Sequence, residues 1–216
     1  MKYLILLATA IMTLSCSSKA QTYTIKTNLG DIRVVLYDNT PLHKRNFEKL
    51  VEEKAYDGVL FHRIINEFMI QAGDMSTKSG AEPDSLKNQS PNDEELIPAE
   101  FVPEYYHKKG ALAAARMGDF VNPEKKSSPT QFYIVQGRVF TDNDFKNLEG
   151  YIGRHWSAAQ KEFYKTVGGT PHLDGDYTVF GEVIEGLDIV DKIAKVPTAP
   201  GDRPLEEIRI VAITKD

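Results

Sequence analysis

The stretch LFHRIINEFMIQAGD, Leu60 to Asp74, decides how this chain is read. It sets Arg63, Phe68, Met69 and Gln71 in two short strand-like segments around Asn66-Glu67. Successive side chains of a strand point to opposite faces, so Met69 and Gln71 share a face. A tight connection at Asn66-Glu67 returns Arg63 to the same wall, which puts one cation beside an apolar hollow. Taken alone, the segment also fits an ordinary hairpin with a solvated arginine and a core phenylalanine. The rest of the chain decides between the two readings.

On either side of this stretch the pattern is of short strands. Tyr23 to Thr27 and Ile32 to Tyr37 alternate and are joined by Asn28-Leu29-Gly30-Asp31, the signature of a hairpin. Thr40-Pro41 reads as a helix start, with Phe47, Leu50 and Val51 at helical spacing and Tyr56-Asp57-Gly58 as the stop. Ser76 to Glu95, rich in polar residues and proline, reads as a long surface loop. Further strands are expected at Ala111 to Arg116, Gln131 to Gln136, Thr178 to Val183 and Ile208 to Thr214. A second helix is expected at Leu187 to Ala194, with Leu187, Val190 and Ala194 on one face. Eight strands and two helices, with no repeat and no Gly-rich nucleotide loop, give a mostly antiparallel β domain with two or more helices.

The segment FHRIINEFMIQAGD resembles the signature of the cyclophilins, which are peptidyl-prolyl cis/trans isomerases. Three more segments match in the family's order: GALAAARM at Gly110 to Met117, TQFYI at Thr130 to Ile134, and LDGDYTVFGEVIEGLDIVDKI at Leu173 to Ile193. With the flanking elements the resemblance runs from about Thr22 to Lys215, apart from two insertions. It implies an eight-stranded antiparallel β-barrel capped by two helices, and closure into a barrel rests on the resemblance alone.

The resemblance also implies residue roles. Arg63 is the catalytic donor, and Phe68, Met69, Tyr133 and Leu173 form the pocket for a proline ring. Gln71 and Gln131 bond the substrate backbone or hold Arg63. Ala115 and Arg116 form an edge that pairs with the bound peptide through its main chain. His172 stands where many members have tryptophan, and Tyr177 where many have histidine; both are expected on the substrate surface. Tyr133 replaces the usual phenylalanine, so its hydroxyl needs water or a partner at the pocket rim. Amide rotation requires no cofactor or metal, and the implied partners are extended or unfolded polypeptides that contain proline.

Residues 137–171 depart from the family's compact form. Asp142 to Leu148 and Trp156 to Val167 read as helices, the second with Trp156, Ala159, Phe163 and Val167 as an apolar stripe. Insertion of this segment between two pocket motifs makes it a candidate wall of the substrate groove.

At the N-terminus, Lys2 precedes an apolar run from Tyr3 to Leu14 that is too short to span a bilayer and has the layout of a secretory signal. Cys16, the only cysteine, follows Leu14-Ser15 and resembles the cysteine of a bacterial lipobox, with Thr13 where leucine is usual. Residues 1–20 are therefore read as signal and tether, and residues 21–216 as one isomerase domain. The expected location is the bacterial cell envelope, lipid-anchored through Cys16 and facing the periplasm. Cleavage after Ala20 is the other reading.

Composition bounds the remaining classes. The 216 residues are 41% hydrophobic and 26% charged, with a formal net charge of −5, which suits one globular domain and gives no basic face for nucleic acid. The five histidines show no paired metal-ligand spacing, and no GxSxG elbow marks a hydrolase. A rival reading is a non-catalytic module of the same fold that captures proline-containing segments.

Overall fold

The computed structural model describes residues 21–78 and 96–216. The N-terminal run expected as a signal, Cys16, and most of the polar stretch expected as a loop lie outside the described residues. Two strands open the fold, β1 (Thr22–Thr27) and β2 (Gly30–Leu36), followed by helix α1 (Pro41–Glu52) and the hairpin β3 (Arg63–Ile65) and β4 (Met69–Ala72). Strands β5 (Ala111–Ala114) and β6 (Phe132–Val135) follow, then helices α2 (Asp142–Ile152) and α3 (Ala158–Thr166). The chain ends with β7 (Val179–Glu185), α4 (Leu187–Ala194), a small ribbon of β8 (Thr198–Ala199) and β9 (Arg203–Pro204), and β10 (Ile210–Lys215).

Eight strands form one antiparallel sheet in the order β10-β1-β2-β7-β5-β6-β4-β3. Register shifts at Lys26/Thr27, Arg33/Val34 and Leu112/Ala113 bend the strands and curl the sheet. Its edges, β3 and β10, do not pair as strands, so the expected barrel is an eight-stranded half-barrel. The segments leading into those edges meet instead: Gly58 and Phe61 N–H donate to Ile210 and Ile208 C=O, and Ile210 N–H to Val59 C=O, each at 2.8 Å.

The concave interior is apolar. Ile25, Ile32, Val34, Ile70, Leu112, Phe132 and Ile134 fill it, and α1 and α4 bury Phe47 and Val51, and Val190, Ile193 and Ala194, against the same cluster. Leu187, expected on that face of α4, is 36% exposed because it occupies the first helical position, where the chain has just left the sheet. At α1 the Thr40 side chain makes no cap bond. The Glu100 carboxylate accepts from the Leu42 and His43 N–H groups at 3.0 Å instead, which satisfies donors a helix start leaves orphaned.

The insertion has its own core of Phe140, Phe145, Trp156 and Tyr164. Both its helices begin at capping boxes, Thr141 with Asp144 and Ser157 with Gln160. The expected stripe on α3 is a correction: Ala159 and Val167 are exposed, Trp156 precedes the helix, and Tyr164 is the buried residue. The Ser157 cap fixes where the helix starts and hence its phase, and that phase turns Tyr164 inward. At the neck of the insertion Gly137 (φ 62°) and Gly169 (φ 146°) cross so closely that a Cβ on Gly137 would stand 2.4 Å from the Gly169 Cα. Side chains there would force the two strands of the neck apart.

Candidate active site

The outer face of the sheet carries the site. Register pairs Arg63 with Gln71, Gln71 with Tyr133, and Tyr133 with Ala113, so one line of outward residues crosses β3, β4, β6 and β5. Met69 and Val135 lie at one end of this wall, and Ala115, whose N–H donates to Gln131 C=O at 3.0 Å, at the other. Alanine at 111, 113 and 115 keeps the β5 face low, and a cavity of about 200 Å³ opens over it. Arg63, Phe68, Met69, Gln71, Ala115, Arg116, Tyr133, Leu173 and Tyr177 line that cavity, so nine residues expected from sequence share one wall. Gln131 belongs to its edge, since its Oε1 accepts from Gln71 Nε2 at 2.9 Å.

Arg63 is held by a residue that sequence reading missed. Its Nε donates to Asp202 Oδ2 at 3.2 Å, and the Ile64 N–H donates to Asp202 C=O at 2.8 Å. Asp202 sits at φ 63° in the turn between β8 and β9. Gln71 pairs with Gln131 rather than with Arg63, so of the two roles expected of these glutamines, holding the arginine falls to Asp202. Among the described residues the terminal guanidinium nitrogens find no hydrogen-bond partner, and Arg63 is part of the cavity lining.

Tyr133 departs from expectation in a second way. Its hydroxyl does not reach the rim; it meets Nε2 of the fully buried His107 at 3.0 Å. His107 Nδ1 lies 3.0 Å from Asp174 Oδ1, and the Tyr164 hydroxyl donates to both Asp174 oxygens at 2.8 Å. A buried chain thus runs from the cavity floor to α3 of the insertion. Burial, followed by the neighbouring Tyr177, raises the Tyr133 hydroxyl well above the usual phenol range, so it stays protonated. Arg154 of the insertion reinforces the same loop by bonding Asp174 C=O and Asp176 Oδ2, the latter at 2.6 Å. The residue that could have signalled this network is Tyr133 itself, because a buried hydroxyl requires a partner.

At the peptide-pairing edge, Ala115 has no main-chain group to spare: its N–H bonds Gln131, and its C=O accepts from Ser128 N–H at 2.8 Å. Arg116 N–H and C=O have no partner among the described residues, so the edge narrows to Arg116. Its side chain is 4% exposed and stacks over Tyr177, with Cζ 4.4 Å from the ring centroid. Nε donates to Asp176 C=O at 2.6 Å and Nη1 to Asp119 at 2.6 Å, so the guanidinium braces the loops on either side.

His172 lies beside the cavity rather than in its lining. It stacks on Phe68, with ring centroids 5.5 Å apart and planes at 24°, but on the side away from Arg63, where it lines a neighbouring groove. Burial, helped by the nearby His107, lowers its pKa below the usual imidazole value, so the ring is neutral near pH 7.

The fold has solved counterparts. A cyclophilin-type peptidyl-prolyl cis-trans isomerase from Cryptosporidium parvum superposes with a TM-score of 0.64 at 23% identity, covering 92% of this chain and 98% of that one. The same parasite protein in the presence of the dipeptide Ala-Pro matches with the same score. The family described as cyclophilin type peptidyl-prolyl cis-trans isomerase/CLD matches residues 22–215, and this chain belongs to that family. Its enzyme class is accordingly that of the peptidyl-prolyl cis-trans isomerases. A Staphylococcus saprophyticus protein provisionally named as such an isomerase is 35% identical over 87% of each chain. A Streptococcus pyogenes protein provisionally named as a bifunctional phosphatase and isomerase is 39% identical over 88% of this chain, which spans only 37% of that relative.

Proposed function

We propose that this domain accelerates rotation about Xaa-Pro bonds of exported polypeptides at the bacterial cell envelope, with Arg63 as its catalytic donor. The peptide bond before proline is a tertiary amide whose rotation faces a barrier of about 18–20 kcal/mol set by resonance. Twisting the bond breaks conjugation and leaves a lone pair on the proline nitrogen. A donor aimed at that nitrogen stabilises the twisted amide more than the planar one, and this difference is the catalysis. Arginine suits the role because it stays charged and keeps a fixed fork of donors.

The observation that carries the reading is that Arg63 shares one cavity with Phe68, Met69, Tyr133 and Leu173. The apolar side chains grip the proline ring, Gln71 and Arg116 main chain hold the flanking backbone, and the guanidinium reaches the amide. An Ala-Pro dipeptide fits this account, being the smallest piece that presents the bond and the ring. The envelope location rests on residues 1–20, with the apolar run from Tyr3 to Leu14 as export signal and Cys16 as the lipid-bearing residue. No described helix is long and apolar enough to cross a membrane, and a lipid anchor needs none.

The test is an exchange assay by NMR or coupled proteolysis on the mature domain with a set of Xaa-Pro peptides. Catalysed exchange that chelator leaves unchanged is expected. A folded domain that binds these peptides without speeding exchange overturns the enzyme reading in favour of a capture module. For location, Cys16→Ala is expected to move the protein from the membrane to the soluble envelope fraction; a wild type already soluble and starting at Gln21 refutes lipidation.

A further inference from the structure

Beside the proline cavity, on the far side of Phe68, lies a groove of about 390 Å³ lined by Glu67, Phe68, Arg138, Phe140, Leu148, Gly169, Thr170 and His172. Phe68 is common to both hollows and is their dividing wall. That wall is rigid. The Phe68 C=O accepts from both Gln136 and Gly137 N–H at 3.0 Å, and the Glu67 N–H donates to the side chain of Gln136 at 2.5 Å. His172 stacks on the same ring.

The other wall comes from the insertion. Phe140 is 8% exposed in the insertion's own core, Leu148 packs against that core, and Arg138 lies over Phe140 with Cζ 4.3 Å from the ring centroid. Thr170, whose buried hydroxyl has no hydrogen-bond partner among the described residues, stands in the same wall. The groove thus has an aromatic and aliphatic lining, a charged rim of Glu67 and Arg138, and a volume within the range of side-chain and ligand sites. It opens at the Phe68 end of the wall, whereas the main-chain edge at Arg116 lies at the opposite end.

We propose that this groove is a specificity subsite that takes a large apolar side chain, aromatic or branched, of a residue flanking the proline in the same peptide. The proposal rests on the reading of the neighbouring cavity as the proline site. An extended chain advances about 3.3 Å per residue, so a peptide seated in that cavity carries its next side chains past Phe68. The shared wall makes the two hollows one continuous track, and the insertion converts an open end of the track into a walled one. Selection by this groove favours proline sites with a bulky apolar neighbour over those flanked by alanine or by charge. Filling it with such a side chain corresponds to roughly a 10- to 100-fold gain over alanine.

Two peptide series test this, one varying the residue that follows proline and the other the residue two places before it, each with alanine, leucine, phenylalanine and aspartate. Isomerisation kcat/KM and peptide affinity by calorimetry are both read for the wild type and for Leu148→Trp, which fills the groove from the insertion side. The expected result is a preference for leucine and phenylalanine of about tenfold or more in one series, collapsing toward unity in Leu148→Trp. Leu148→Ala, which empties the groove further, should retain a preference and shift it toward the larger ring. No preference in either series, or one that Leu148→Trp leaves intact, overturns the subsite. Absence of catalysed exchange on the alanine peptides is the separate failure of the isomerase reading, and the affinities then still decide the groove.

Discussion

Strands β4, β6 and β5 are buried on both faces, and the two faces serve opposite ends. Inward, Ile70, Ala72, Phe132, Ile134, Leu112 and Ala114 present no polar side-chain atom and merge with the helices. Outward, Met69, Gln71, Gln131, Tyr133 and Ala113 combine apolar surface with polar groups, each held by a specific partner. A step of one residue along a strand separates core from site. The inner face needs only volume and apolarity, so its energetics are those of packing. The outer face needs partners, so its energetics are those of hydrogen bonds and one exposed charge.

The contrast can be broken first from inside. Phe132→Ala, which removes a ring wedged between Phe47 and Tyr56, is expected to cost about 3–5 kcal/mol in a denaturant melt. A loss below about 1 kcal/mol would mean that the interior is not the close-packed core described. On the outer face the effect should fall on rate instead. Arg63→Ala is expected to lower turnover by about 100- to 1,000-fold, the scale for losing one donor to a transition state, with much smaller change in peptide affinity. Arg63→Lys should recover only part of it, because lysine lacks the planar fork. An equal loss of affinity and turnover would recast Arg63 as a binding residue.

Tyr133→Phe sharpens the comparison, since it alters an outer residue whose polar atom points into the protein. Removing the hydroxyl leaves His107 Nε2 without its partner and is expected to cost roughly 1–2 kcal/mol of stability, with a smaller effect on turnover. Stability equal to wild type would show that the chain from Tyr133 to Tyr164 does not brace the cavity floor.

The smallest expected effect is a dependence on pH. Burial lowers the pKa of His62 and of His172 from the ordinary value of 6.5. As pH falls through that value the unfolded chain takes up protons that the folded one resists, so stability declines on acidification. Asp176 and Asp191 add to the decline below about pH 4. Burial opposes their ionisation, but hydrogen bonds from Lys125 and Arg154, and from Lys109 and Gln136, outweigh it and hold both carboxyls below 3.8. Melting temperature measured from about pH 7.5 down to about pH 2.5 should therefore fall in two stages, and a profile that rises toward acid would contradict the assignment.

Much of this was legible without coordinates. The shared face of Met69 and Gln71 follows from the two-residue period of a strand, and the return of Arg63 follows from the short turn; the register bears out both. Helix α4 falls at Leu187–Ala194 as its spacing predicts. These are local matters, decided by neighbours within a few residues.

What the tertiary structure alone decided concerns groups that meet across long separations. Arg63 and Asp202 lie 139 residues apart, Tyr133 and His107 26 apart, and no periodicity connects either pair. His172 follows Pro171 and precedes Leu173, yet the two neighbours His172 and Leu173 face different hollows, because a turn of 3₁₀ helix at Pro171–Leu173 parts their side chains. The half-barrel, too, depends on how far three register shifts curl the sheet. Sequence determined the pattern of strand faces and motifs, since these arise from covalent geometry and local burial. Which polar group found which partner was left to the fold, because that depends on where distant loops come to rest.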